Sequence, residues 1–231
     1  MGRTDPGSGR ACKGSQYWIQ TLVRDARMRQ ELNGILRDTL EWLSPLEKER
    51  YAEYELRDPV LLGKLGLDGA EGLFGFWPEK QPVWDGIAVG NGGRTLYLIE
   101  AKAHPGEMES RMRAKNPESV RKILQAMRHI HDTCFPAGEF PLWTDRYYQL
   151  ANRLTFLQYL RNAAAAGTMG DITEVRLVLL YFAEDYTYRK TGAAVWREHL
   201  DTVYSRMLGM PVLPREITSV LYSVPPADML S

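Results

Sequence analysis

Three charged residues, Asp85, Glu100 and Lys102, stand where two apolar strands are expected. The stretch from Val83 to His104 reads V-W-D-G-I-A-V-G-N-G-G-R-T-L-Y-L-I-E-A-K-A-H. Asp85 opens the first apolar run, and Glu100 and Lys102 close the second with Ala101 between them. Charges in a sheet need partners, often a metal ion. Two carboxylates and a lysine on rigid strands suit metal-assisted phosphodiester hydrolysis. Asp85 and Glu100 would hold Mg²⁺ (Mn²⁺ can substitute), a hard cation that takes oxygen ligands and keeps several waters. The metal would polarise the phosphate and acidify a bound water. Lys102 could orient or deprotonate that water, or stabilise the developing pentavalent charge. Beside two carboxylates a lysine stays protonated unless desolvated, so the electrostatic role is the expected one.

The elements that must position these groups are two strands, Val83 to Val89 and Thr95 to Ala101, read as a β-hairpin around a Gly-Asn-Gly-Gly turn. Strand side chains alternate with period two, so Glu100 and Lys102 share a face and Ala101 points away. A two-residue loop at Asn91-Gly92 would set Asp85 opposite Leu98, on the same face as Glu100 and diagonal to it, roughly 7–8 Å between backbones. A one-residue slip would send Asp85 to the other face. Only one of the chain's eight lysines, Lys102, has an acid two residues before it. Because Leu96 and Leu98 lie on that face, the charges continue an apolar stripe. The alternative is a surface hairpin whose Glu100 and Lys102 merely face solvent.

At 231 residues, 44% hydrophobic and 25% charged, the chain is expected to form one globular domain with a full core. The formal net charge of zero provides no bulk attraction to nucleic acid or acidic lipid, so a nucleic-acid reading must rest on local patches. Two distant cysteines, Cys12 and Cys134, lack metal-ligand spacing and fit a reducing cytoplasm. No apolar signal-like start and no run of 18 apolar residues occurs, so no membrane partner is expected.

Residues 1–14 read as a flexible Gly-rich leader, and 15–231 as a single domain. Ser15 is a plausible N-cap for a helix bent at Asn33-Gly34. Ser44-Pro45 is expected to start a second, charged helix that Asp58-Pro59 closes. Leu73 to Trp77 reads as a short strand before the hairpin. Helices are expected over Pro117 to His131, Leu142 to Ala166 with Gly167 as C-cap, and Thr191 to Leu208. Glu174 to Ala183 reads as a buried strand and Ile217 to Val224 as the last one. This order is an α/β or α+β layer fold: helices over 15–57, a core over about 72–183, and a C-terminal helix and strand over 191–224.

The pattern Asp85…Glu100-Ala101-Lys102, hairpin-borne, preceded by helices and followed by helix and strand, resembles the PD-(D/E)XK nuclease superfamily. That group includes restriction endonucleases, recombination nucleases and Holliday-junction resolvases. The resemblance implies a restriction-endonuclease-like αβββαβ core, a mixed sheet flanked by helices, here with an N-terminal helical extension. It implies Asp85 and Glu100 as metal ligands, the Ala101 carbonyl as a further ligand, and Lys102 as the catalytic lysine. The expected activity is an Mg²⁺-dependent nuclease acting on DNA, with RNA as the alternative. A homodimer or a partner subunit is a family expectation. Trp84 stands before Asp85 where the family motif has proline, a departure the family tolerates.

Some members add an acid from the first core helix, for which Glu53 and Glu31 are options; a solvated charged face explains them as well. Arg111, Arg113, Lys115, Arg121, Lys122 and Arg128 make 111–128 the most basic region, suited to phosphate contacts. Interspersed Glu107, Glu109 and Glu118 fit an ordinary soluble face equally. Gln149 and Arg153, one helical turn apart, could face the site or belong to a plain amphipathic helix. His104, two residues past Lys102, could touch substrate or be structural. His129 and His131 lack zinc-helix spacing. Gly90 to Gly93 is not a phosphate loop, and no G-x-S-x-G occurs. Two rivals stand beside the nuclease: the same fold with an inactive site that binds nucleic acid or protein, and another enzyme in which the trio is a buried structural group.

Overall fold

In the computed structural model, residues 4, 5 and 7–227 are described. Helices α1 (Gly14–Arg24) and α2 (Ala26–Leu36) lead into strand β1 (Glu41–Ser44), the short strand β2 (Tyr54–Glu55) and α3 (Pro59–Lys64). The hairpin region comprises β3 (Val83–Trp84), β4 (Gly86–Gly90) and β5 (Thr95–Lys102). Helices α4 (Pro117–Cys134), α5 (Phe140–Asp145) and α6 (Tyr148–Ala165) precede β6 (Glu174–Ala183), and α7 (Ala193–Leu208) precedes β7 (Ile217–Ser223).

The central sheet has five strands in the order β1-β4-β5-β6-β7, and β2 and β3 form a separate two-stranded ribbon. Strands β1, β4 and β5 are antiparallel neighbours, whereas β5–β6 and β6–β7 pair in parallel. The mixed sheet makes this an α/β fold. Parallel pairs need long crossovers, and helices α4–α6 and α7 supply them. Because both faces are covered, β5 and β6 are buried along almost their whole length rather than alternating with solvent.

Each face has its own core. Trp18, Leu22, Met28 and Leu32 from α1 and α2 pack on Tyr97, Ile99, Val178 and Leu180. On the opposite face Leu96, Leu98, Leu177 and Leu179 meet Leu154, Leu157 and Trp196 from α6 and α7. Glu100 and Lys102 follow Leu98 in parity, so they point to the α6 side.

Several elements differ from the expectation. The N-terminal helix breaks at Asp25, whose carboxylate caps α2 by accepting from the Met28 N–H at 2.9 Å, and not at Asn33-Gly34. The charged helix expected after Pro45 is absent among the described residues. Its sequence forms the end of β1, a 3₁₀ turn at Glu47–Glu49 and β2, with Arg50 and Tyr51 at positive φ. Tyr54 and Leu56 are drawn into the core, and tertiary burial overrides helix propensity there. Asp58-Pro59 starts α3 instead of closing a helix: Asp58 is its N-cap and Pro59 its first residue. Glu71–Phe74 is a 3₁₀ turn where a strand was expected. The helix expected from Leu142 is two, α5 and α6. Of residues 1–14, expected as a flexible leader, 1–3 and 6 lie outside the described residues; Thr4 bridges to Ala11, which is buried.

The hairpin loop also differs. The ladder closes at Gly90↔Thr95, leaving a four-residue loop in which Asn91, Gly92 and Gly93 all have positive φ. Gly90 is required for this closure: a Cβ there would lie 2.3 Å from the Asp38 carboxylate and 2.8 Å from the Tyr97 ring. Asp38 ties the loop down, accepting from the Asn91 N–H at 3.0 Å and the Tyr97 hydroxyl at 2.8 Å.

Candidate active site

The longer loop moves the register by two residues, which preserves the face but changes the neighbour. Gly86 pairs with Ile99 and Ile87 with Leu98, so the next position places Asp85 across from Glu100 rather than Leu98. A second register converges on the same residue. In the ribbon, Tyr54 pairs with Trp84 and Glu55 with Val83, so continuation sets Glu53 across from Asp85. Asp85 is thus the residue at which the chain passes from one sheet to the other, with a carboxylate on each side.

Beyond the end of β4, β5 has lost its neighbour on that edge. The carboxylate of Asp85 replaces it, accepting from the Ala101 N–H at 2.8 Å. In an extended strand the carbonyl of a residue points to the same edge as its N–H. The Ala101 carbonyl therefore faces the Asp85 side.

Glu100 is 4% exposed, and each of its oxygens is engaged. Oε1 pairs with the Lys102 ammonium. Oε2 accepts from Arg153 Nε at 2.6 Å. Arg153, on α6 and 1% exposed, also donates to the Val83 carbonyl at 2.7 Å and lies 4.3 Å over the Trp84 ring. This arginine thus fastens the helix to the acid and to the strand entering Asp85.

Burial would raise Glu100, but Arg153 and Lys102 outweigh it and hold the carboxyl below its ordinary value. For Lys102, burial works toward the neutral form, yet Glu100 and Asp85 outweigh it and keep the ammonium charged. Asp85 goes the other way: burial, reinforced by the Glu100 charge, pushes it up to about 7. Glu53 is raised by burial and by Glu100, partly opposed by Gln16, which donates to it at 3.2 Å. Three acids face two cations, Lys102 and Arg153. With all three ionised the group would carry one negative charge in excess, and that repulsion adds to burial, the larger cause, in raising Asp85 and Glu53.

A polar cleft of about 400 Å³ opens over Lys102. Its lining includes Gln16 at the start of α1, His104, Glu107 and Glu109 after β5, and Gln149 and Tyr188. The start of α1 is held there by the Gly14 N–H donating to Thr187 at 2.9 Å. His104 lies 3.7 Å from Glu107 and packs against Tyr188.

The other sequence candidates divide. Glu53 joins the group, from a loop and not a helix, whereas Glu31 lies on α2 in contact with Tyr222 and Arg27, away from it. Gln149 reaches the cleft. Arg111, Arg113 and Lys115 are exposed on the segment that leads away from the cleft. Arg121 and Lys122 lie on α4, and Arg128 stacks at 3.4 Å on Phe140. His131 is buried and bonded to Asp132 and Gly138. Gln16 was not foreseen; nothing in its local sequence marks it.

Among the described residues, no group of three or more His, Cys, Asp and Glu side chains could hold a metal ion. The groups at this edge, the Asp85 carboxylate and the Ala101 carbonyl with Glu100 across from them, are all oxygen donors, the kind a hard cation takes, and Mg²⁺ needs only one or two carboxylates with water and phosphate. Among the described residues no helix is long and apolar enough to cross a membrane. No family model, curated protein or solved structure matches the chain.

Proposed function

We propose that the chain is an Mg²⁺-dependent nuclease with a restriction-endonuclease-like core, hydrolysing phosphodiester bonds in DNA. The observation that carries this reading is the register that sets Asp85 across from Glu100, with Lys102 on the same face under an open cleft. The order of elements supports it: helices, the antiparallel strands β1, β4 and β5, then helices and the parallel strand β6, an αβββαβ sequence. Mg²⁺ held by Asp85, Glu100 and the Ala101 carbonyl would supply Lewis-acid polarisation of the phosphate and an acidified water. Lys102, kept positive by Glu100 and Asp85, offers a fixed cation where charge develops on the phosphoryl oxygens. Gln149 and Gln16 offer hydrogen bonds from the cleft walls.

One observation favours a second reading, a nuclease-fold module that binds without cutting: both oxygens of Glu100 are already paired inside the protein. Incubating the protein with labelled single-stranded, linear duplex and plasmid DNA in Mg²⁺, Mn²⁺ or EDTA separates the two. Cleavage that requires the metal and disappears in both Asp85→Ala and Lys102→Ala is the result expected of the enzyme. Metal-independent DNA retention by both variants, without cleavage by the parent, would establish the binding module instead.

A further inference from the structure

We infer that the segment 109–116 is a track for a single nucleic-acid strand, which carries successive phosphates on Arg111, Arg113 and Lys115 and lodges an unpaired base in the cleft beside them. The inference deepens the nuclease reading by naming its substrate class, and the binding it describes can be measured without cleavage.

The segment is extended and pinned. The Ser110 N–H donates to the Arg146 carbonyl at 2.7 Å, and the Met112 N–H to Thr144 at 2.9 Å. Ser110 Oγ accepts from the Gln149 N–H at 2.8 Å, capping α6, whose own N-cap Tyr147 provides no side-chain cap. Exposure alternates along it: Arg111, Arg113 and Lys115 face solvent, and Met112 and Ala114 turn inward. Alternate residues of an extended chain stand roughly 6.6 Å apart, a spacing comparable to that of successive phosphates along an extended nucleic-acid strand.

The charge is available. Arg111, Arg113 and Lys115 form no ion pair with any described residue, while the preceding acid, Glu109, is paired with Arg146 at 2.9 Å. The track also leads somewhere: Glu109 and Gln149 border the cleft over Lys102, and the first cation, Arg111, follows Glu109 by two residues.

What selects a single strand is the cavity alongside. A cleft of about 420 Å³ is lined by Arg113 and Lys115 together with Trp77, Pro78, Pro82 and Tyr148, and Lys80 and Asn152 add polar groups to it. That size is in the range that encloses small organic ligands. In a duplex the bases are paired and stacked inward, and none can enter a cavity beside the phosphate row. An unpaired strand can seat its backbone on cations and turn a base onto an apolar or aromatic surface, the usual arrangement of single-strand binders.

Fluorescence anisotropy in EDTA, with labelled dT and rU oligomers, an abasic oligomer of equal length and a duplex, tests the track over a range of salt. Both single strands should bind more tightly than the duplex, and the abasic oligomer more weakly than dT. Log K should fall against log salt with a slope of about −2, as expected for about three phosphates of a single strand. Replacing Arg111, Arg113 and Lys115 together by Ala should weaken binding at least tenfold and bring the slope toward zero. Arg111→Lys/Arg113→Lys should retain the slope, and Arg197→Ala, at an exposed arginine on α7, should leave binding unchanged. Duplex bound as tightly as single strands, no binding, or binding indifferent to the triple substitution would overturn the inference. The ratio of dT to rU affinity identifies the sugar. Failure of cleavage with this binding intact would sink the nuclease reading and leave the track standing.

Discussion

The Asp85 carboxylate accepts the Ala101 N–H at 2.8 Å, in the place a neighbouring strand would occupy. One side chain therefore does two things: it completes the edge of β5 and presents a carboxylate beside Glu100. Asparagine preserves the first role, because its carbonyl still accepts from Ala101, and removes the charge. Asp85 is raised to about 7, so the folded state binds this proton more tightly than the unfolded chain. Its contribution to stability is present below pH 4 and is lost as pH rises toward and through 7. Asp85→Asn should therefore stabilise the fold at pH 8 by on the order of 1–2 kcal/mol and change little at pH 4, while abolishing cleavage. Urea unfolding at the two pH values checks this; equal effects at both would mean that Asp85 is not strained.

Glu100 answers to Arg153 on one oxygen and Lys102 on the other. Removing one member of a buried ion group leaves uncompensated charge. Glu100→Ala and Arg153→Ala should each cost about 3–5 kcal/mol by denaturant unfolding. Arg153→Lys should not restore stability, since a lysine cannot reach Glu100 and the Val83 carbonyl while stacking on Trp84. A loss below 1 kcal/mol in Arg153→Ala would show that α6 does not depend on this contact.

Lys102→Met tests whether the lysine serves chemistry more than folding. Glu100 keeps Arg153 in this variant, and with it the contacts to the Val83 carbonyl and the Trp84 ring, so the fold should lose less than it does in Arg153→Ala. Cleavage should fall by about 100-fold or more, the usual effect of deleting a charge-stabilising donor. Near-normal cleavage in Lys102→Met would remove the lysine from the proposed mechanism.

Glu53 adds a like charge next to Asp85. Glu53→Gln should bring the Asp85 titration below 7, and the acidic limb of any cleavage profile should move to lower pH with it. Carbon-13 NMR of the labelled Asp85 carboxyl reads the shift directly. An unmoved titration would place Glu53 outside the group.

Period-two alternation in Leu96, Leu98, Glu100 and Lys102 was legible in the chain, because side-chain parity survives any even change in register. Beta-branched and apolar density made Glu174–Ala183 legible as a buried strand. The 3₁₀ turn and short strand after Pro45 were not legible, since local helix propensity there is overridden by the burial of Tyr54 and Leu56. The loop length was missed because three consecutive positive-φ residues, Asn91, Gly92 and Gly93, are compatible with a short or a long turn.

What the sequence by itself determined is the trio: two acids and a lysine on one face of a hairpin, with Gln149 and Arg153 one helical turn apart. Only the tertiary structure decided which groups complete it. Two separate strand registers meet at Asp85 and bring Glu53 to it, α6 drives Arg153 onto Glu100, and Ser110 fastens a cationic strand to the same helix. These contacts join residues 15 to 53 positions apart. Local pattern records which face a side chain takes, but only the packing of distant elements records what it meets.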